Sequence, residues 1–186
     1  MDLRVVIPVK PFTEAKQRLA SVLNRTQRAE LAERMFRQVF GVAASWAGAA
    51  NVVVVSRAED ILAMVRNEGG IVVQEEKTSS LNSALSHAAV AAAVSRILVV
   101  AGDLPFLAHD DLAEMARGEC AIAPDRHRRG TNALLWPAQL PFAFGENSFA
   151  RHRAIAEGAG LIPTVVLRRG LAHDVDVPDD LNSVEI

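Results

Sequence analysis

The chain has 186 residues, of which 50% are hydrophobic and 23% charged, with 20 Lys+Arg against 22 Asp+Glu for a formal net charge of -2. That length predicts one domain over residues 1–186 that buries a core of its own, and that composition excludes a disordered chain, a collagen-like repeat and a coiled coil. No single-sign field is available for nucleic acid or an anionic membrane, and the one cysteine, Cys120, excludes a disulfide framework and a Cys-based zinc site and fits a reducing, cytoplasmic setting.

From the start, Met1-Asp2-Leu3-Arg4 runs straight into Val5, Val6 and Ile7 without the regions of a signal peptide, so export is not expected. Short β-branched runs then alternate with stretches of helical period, the pattern of an α/β domain with a mostly parallel sheet between helical layers. Strands are predicted at Leu3 to Val9, Asn51 to Val55, Ile71 to Val73, Arg96 to Val100, Cys120 to Ala123, Asn132 to Leu135, Leu161 to Leu167 and His173 to Val177. Val52 to Val55 and Ile97 to Val100 are apolar at every position, which predicts central strands covered on both faces. Helices are predicted from Thr26 or Gln27 to Trp46, Glu59 to Glu68 with Gly69 and Gly70 as stop signals, Leu81 to Val94, His109 to Arg117 and Asn147 to Glu157. The most apolar stretch, Ala88 to Val94, is far shorter than the roughly 20 residues of a membrane helix.

In open α/β sheets ligands gather at the carboxyl ends of strands. Pro11 to Arg18, Glu75 to Ser80, Asp125 to Gly130 and Pro141 to Ser148 are therefore the loops to search. Lys10, Lys16 and Arg18 follow the first strand closely, where they either neutralise phosphates or form a solvated loop. No P-loop and no Gly-x-Gly-x-x-Gly turn is present. Asp103 follows the fourth strand in Gly102-Asp103-Leu104-Pro105, either as a ligand for a hard cation that the glycine lets come close, or as a turn residue. If His173 to Val177 is a strand, Asp174 and Asp176 share one face, and their repulsion would be relieved by Mg²⁺ with Asp103 as a third ligand; the alternative is an acidic edge. Asp179 and Asp180 read as an acidic solvent-facing edge, with Asp179 the cap of a last short helix. Asn147 and Ser148 stand near a helix start that offers backbone N-H groups to an anion or is simply capped. Cys120 reads as a small hydrophobe.

Ile7-Pro8-Val9-Lys10 with Ala15-Lys16-Gln17-Arg18-Leu19, Ser80-Leu81-Asn82-Ser83-Ala84-Leu85, Gly102-Asp103-Leu104-Pro105, Gly130-Thr131-Asn132-Ala133-Leu134, Phe144 to His152 and Asp174 to Leu181, taken together and in this order, resemble the 2-phospho-L-lactate and phosphoenolpyruvate guanylyltransferase family. The resemblance implies a glycosyltransferase-A-like nucleotidyltransferase fold, GTP as substrate and a place in making coenzyme F-420. It implies that Asp103, Asp174 and Asp176 hold Mg²⁺, that Thr131, Gly145 and Ser148 hold the phosphorylated acid, and that Asn82 lies near the nucleoside, with Ser80 where the family commonly has glycine. Lys10, Lys16 and Arg18 would balance the triphosphate, Asp103 acting with them in catalysis. The acid is phosphoenolpyruvate, 2-phospho-L-lactate or 3-phosphoglycerate. The rival readings are a non-catalytic nucleotide- or anion-binding regulator on the same fold and a molybdopterin or sugar nucleotidyltransferase, the latter disfavoured by Pro8, Lys10 and Pro11 where a glycine-rich loop would stand. Oligomeric state stays open between monomer and homodimer.

Overall fold

In the computed structural model, which describes residues 3–76 and 80–183, seven strands join into one sheet. They are β1 (Leu3–Pro8), β2 (Val52–Ser56), β3 (Ile71–Gln74), β4 (Arg96–Val100), β5 (Ala121–Pro124), β6 (Thr131–Pro137) and β7 (Thr164–Val165), in the order β3-β2-β1-β4-β6-β5-β7. Strands β1 to β4 are mutually parallel, β6 runs antiparallel to both β4 and β5, and β7 is parallel to β5. The helices are α1 (Arg25–Ala47), α2 (Glu59–Asn67), α3 (Leu81–Ala92), α4 (His109–Met115), α5 (Ser148–Gly158) and α6 (Arg169–Ala172). No helix among the described residues is long and apolar enough to cross a membrane.

Alternation along the strands explains why the inner runs are apolar throughout. Val5, Ile7, Leu98 and Val100 enter a core with Phe36 and Phe40 of α1 and Leu112 of α4, while Val6, Ile97 and Val99 enter a second core with Leu85 of α3 and Ala156 of α5. Strand β4 is the middle of the seven, and β2 lies one in from the edge. Helix α1 starts at Arg25, because the Asn24 carboxamide accepts the Gln27 N-H at 3.0 Å and the Gln27 side chain accepts the Asn24 N-H at 2.9 Å. Cys120 is buried and its thiol is pushed up to about 11 by desolvation, as befits a packing residue.

Two predicted strands differ. Leu161 to Leu167 contracts to two residues, because Pro163 has no N-H for a ladder and the segment pairs only with Ala121 and Ile122 of the short β5. His173 to Val177 is not a strand at all. Its N-H groups at Asp176 and Val177 go instead to one carboxylate oxygen of Asp180, at 2.7 and 2.9 Å, which bends the chain into the 3₁₀ turn Pro178–Ser183. Residues 77–79 of the predicted Glu75 to Ser80 loop lie outside the described residues.

A small apolar cluster clips distant parts of the chain together. Leu19 from the loop after β1 packs with Leu31 and Met35 of α1 and with Val175. Residues 16–18 are thereby held against residues 174–176, and Phe12 anchors the start of the same loop on Phe36, with ring centroids 5.8 Å apart. Helix α6 packs tightly at Gly170, where a Cβ would stand 2.6 Å from the Phe106 carbonyl oxygen and closer still to the Asp111 carboxylate that pairs with Arg168. Gly170→Ala is therefore expected to cost about 1 to 3 kcal/mol and to lower the melting temperature by several degrees in a calorimetric scan.

Candidate active site

The strand order reverses between β1 and β4, since the crossovers from β1 lead to β2 and β3 on one side and β4 lies on the other. A cleft of about 580 Å³ opens there, at the carboxyl ends of the strands. Lys10, Lys16, Asp103, Thr131, Asp174 and Asp176, all singled out in the sequence, line it. Arg18 stands at its rim, 76% exposed, with its guanidinium 3.5 Å from Asp176. Gly145, Ser148 and Asn82 do not line it.

Lys16 is the centre of the charged wall. Its backbone is left-handed, φ 54° and ψ 39°, a conformation that costs a non-glycine residue on the order of 1 kcal/mol and turns the side chain inward between two short turns. The side chain is only 6% exposed, and its ammonium donates to Asp103 at 2.5 Å and to Asp176 at 3.0 Å. Burial alone would push its pKa down; the charges and hydrogen bonds of Asp103 and Asp176 together outweigh that and hold it above the ordinary lysine value. Lys16 thus engages carboxylates; of the other cations at the cleft, Lys10 is exposed on its wall, Arg57 lines it paired with Glu14, and Arg18 reaches Asp176 from the rim.

Asp174 lies deeper. Burial first, and then the negative charge of Asp103, raise its pKa, against hydrogen bonds from backbone and from Asn132, whose amide nitrogen reaches it at 3.3 Å. Asp174 and Asp176 reach the same cleft although no strand aligns them, because Asp180 holds the intervening backbone. Asp180 is 3% exposed and ion-paired with Arg126; burial opposes its charge, but the N-H groups of Val177 and Asp176 and the Arg126 guanidinium prevail and hold it below the usual carboxylate range. Reading Asp180 as part of a solvent-facing acidic edge missed this role, since it is buried. The available signal was its place three and four residues after the N-H groups it accepts, across Pro178.

Crowding does not demand the glycine before Asp103: a Cβ at Gly102 would make ordinary contacts, the nearest 3.5 Å from the Pro8 carbonyl oxygen.

The other wall is built by an irregularity. Ala123 faces Ala133, yet Pro124 faces Thr131, so β6 carries Asn132 as one extra residue. Ala133 and Leu135 point to the α1 core and Leu134 and Trp136 to the α5 core, so strict alternation would send Asn132 toward α5. The bulge exchanges the two polar residues. Asn132 donates to the Leu171 carbonyl at 3.0 Å and to Asp174, while the Thr131 hydroxyl lies 3.0 Å from Nδ1 of His152 on α5. His152 is fully buried between Trp136 and Phe144, and its Nε2 accepts the Ala143 N-H at 3.1 Å. Asn82 likewise supports this wall, donating to the Phe144 carbonyl at 3.1 Å and accepting the Phe144 N-H at 2.7 Å.

The start of α5 is less open than its sequence implies. Asn147 is left-handed and makes no side-chain cap, and the N-H groups of Ser148 and Phe149 are taken by the carbonyls of Gly145 and Arg129. Ser148 is 2% exposed, and Gly145 adopts φ +121°, which only glycine takes without strain.

The architecture is that of the nucleotidyltransferases. A putative nucleotide-diphospho-sugar transferase from Desulfovibrio desulfuricans superposes with a TM-score of 0.73 at 15% identity, covering 97% of this chain and 85% of that one. The sequence then narrows the class: residues 3–186 match the family described as "Guanylyl transferase CofC like", and the chain belongs to that family. Among its relatives, a phosphoenolpyruvate guanylyltransferase of Roseiflexus castenholzii is 38% identical over 97% of this chain and 87% of its own length. A 2-phospho-L-lactate guanylyltransferase of Methanothermobacter thermautotrophicus is 32% identical over 99% and 84%.

Burial first, and the nearby Arg151 charge second, push the His152 imidazole down from 6.5 to about 4. The unfolded chain binds a proton there below about 6.5 and the folded chain only below about 4, so this contribution to stability is whole above about pH 6.5 and shrinks as pH falls toward about 4. Between about pH 7 and about pH 5, urea unfolding is expected to show the wild type losing about 2 kcal/mol more than His152→Phe.

Proposed function

We propose that the chain transfers GMP from GTP to a phosphorylated three-carbon acid, phosphoenolpyruvate before 2-phospho-L-lactate or 3-phosphoglycerate, with release of pyrophosphate, in coenzyme F-420 biosynthesis. The observation that carries this reading is the cleft at the strand-order reversal, where Lys10 and Arg18 stand beside three aspartates brought together from residues 103 and 174–176. The family membership supports the nucleotide and acceptor classes.

The reaction needs little acid-base chemistry. An anionic phosphate oxygen of the acid attacks the α-phosphorus of GTP in line, a P-O bond forms, and the bond to the β-phosphate breaks with its electron pair leaving on pyrophosphate. The obstacle is repulsion between two polyanions, which positively charged groups relieve. Lys10 and Arg18 face the triphosphate, Lys16 fixes the spacing of Asp103 and Asp176, and the Thr131 wall receives the acid.

The donor set fits a hard divalent cation, since the charged wall is made of carboxylate oxygens with no thiolate among them, and an ammonium already draws two of these together. Among the described residues no three His, Cys, Asp or Glu side chains form a ready ligand cage. That suits Mg²⁺, which commonly takes one or two carboxylates and completes its shell with water and substrate phosphates. Held by one or two carboxylates drawn from Asp103, Asp174 and Asp176, it would supply charge neutralisation at the reacting phosphates.

Pyrophosphate release measured with GTP, Mg²⁺ and each acid in turn tests the reading, and no release with any acid would sink it. Asp176→Asn is expected to lower kcat/KM by about 10²-fold or more with the circular dichroism of the wild type retained. Replacing GTP by ATP leaves acceptors for the guanine N-H groups unpaired, at a cost of about 1 to 3 kcal/mol, and is expected to lower kcat/KM by roughly 10- to 100-fold.

A further inference from the structure

The fully buried His152 takes no part in the proposed transfer, yet both of its ring nitrogens are engaged. One of these contacts has a fixed direction. The Ala143 N-H can only donate, so Nε2, 3.1 Å away, must present its lone pair. The ring lies among Trp136 and Phe144, at centroid separations of 5.4 and 4.8 Å, with burial as the main cause of its lowered pKa, so it is neutral near pH 7. A neutral imidazole carries one N-H, which must then be on Nδ1. Nδ1-H donates to the Thr131 hydroxyl oxygen at 3.0 Å. With that oxygen accepting from the ring, the hydroxyl hydrogen must turn away from His152. Thr131 is 8% exposed, lines the cleft, and has no other side-chain hydrogen bond among the described residues.

We infer that His152 is a positioning residue which sets the Thr131 hydroxyl as a hydrogen-bond donor into the cleft, aimed at an acceptor-only oxygen of the bound acid, a phosphate or carboxylate oxygen. The relay runs from the Ala143 N-H through the imidazole to the hydroxyl, so the backbone of the 141–147 loop dictates the polarity of a side chain on β6. A hydroxyl left to rotate could spend its hydrogen on the ring; this one keeps its hydrogen free for an acceptor, with one of its two lone pairs already taken. The inference rests on the acid-binding half of the proposed transfer, and its first test is independent of that half.

Long-range ¹H–¹⁵N correlation spectra of the ligand-free protein near pH 7 read the tautomer directly. The Nδ1-H form of His152 is expected, and the Nε2-H form or a protonated ring overturns the inference while leaving the transferase reading intact. The second test is a double-mutant cycle on phosphoenolpyruvate turnover. Thr131→Val removes a hydrogen bond to a charged group and is expected to raise KM for the acid by about 10- to 100-fold, with KM for GTP within about twofold of the wild type. His152→Phe keeps the aromatic packing and is expected to raise the same KM, but by no additional factor in the Thr131→Val background. Additive effects, or a GTP KM that rises in step, overturn the inference. A wild type that turns over none of the acids overturns the transferase reading instead, and the spectra then still decide the tautomer.

Discussion

One buried ammonium holds the cleft together. Three aspartates at the carboxyl end of a sheet repel one another, and two of them, Asp103 and Asp176, are separated by 73 positions in the chain. The Lys16 side chain, donating to both, turns that repulsion into an attachment between the turn after β4 and the segment after α6. An ion pair of this kind stabilises little by itself, because desolvating the charges offsets much of the attraction. Its value is geometric: together with the left-handed backbone of Lys16 and the burial of Leu19 beside Val175, it ties the loop after β1 to Asp103 and Asp176.

The fold was largely legible in the sequence because its signals are local. Runs such as Val52 to Val55 and Ile97 to Val100 announce strands packed on both faces, whereas periodicity placed the start of α1 a residue or two late, because it does not register the capping contacts of Asn24 and Gln27. The segment from His173 to Val177 misled for an equally physical reason. Its alternating pattern of carboxylates and valines has the period of a strand, but the N-H groups at Asp176 and Val177 found a partner in a carboxylate further along the chain, and Pro178 made the bend available.

The site was legible in part. Which loops gather at the cleft follows from strand ends, and six of the residues singled out line it. What each does there depended on contacts no spacing reveals. Lys16 looks like a phosphate ligand by sequence, and the structure pairs its ammonium with Asp103 and Asp176. Asn132, Asp180 and His152 lie inside segments that the sequence singled out but carried no role at the site there; their importance lies in partners 42, 54 and 21 positions away, Asp174, Arg126 and Thr131.

The extra residue in β6 makes that strand a ruler. Thr131 and Asn132 are consecutive, so their Cα atoms are about 3.8 Å apart whatever the helices around them do. One addresses the wall supported by α5, the other the carboxylate beneath α6. The two flanks of the cleft therefore spring from a single peptide unit within the sheet, and the interval between their two Cα atoms does not depend on where α5 and α6 lie. A reaction that must bring two anions to one fixed separation gains from having that interval written into covalent geometry rather than into packing.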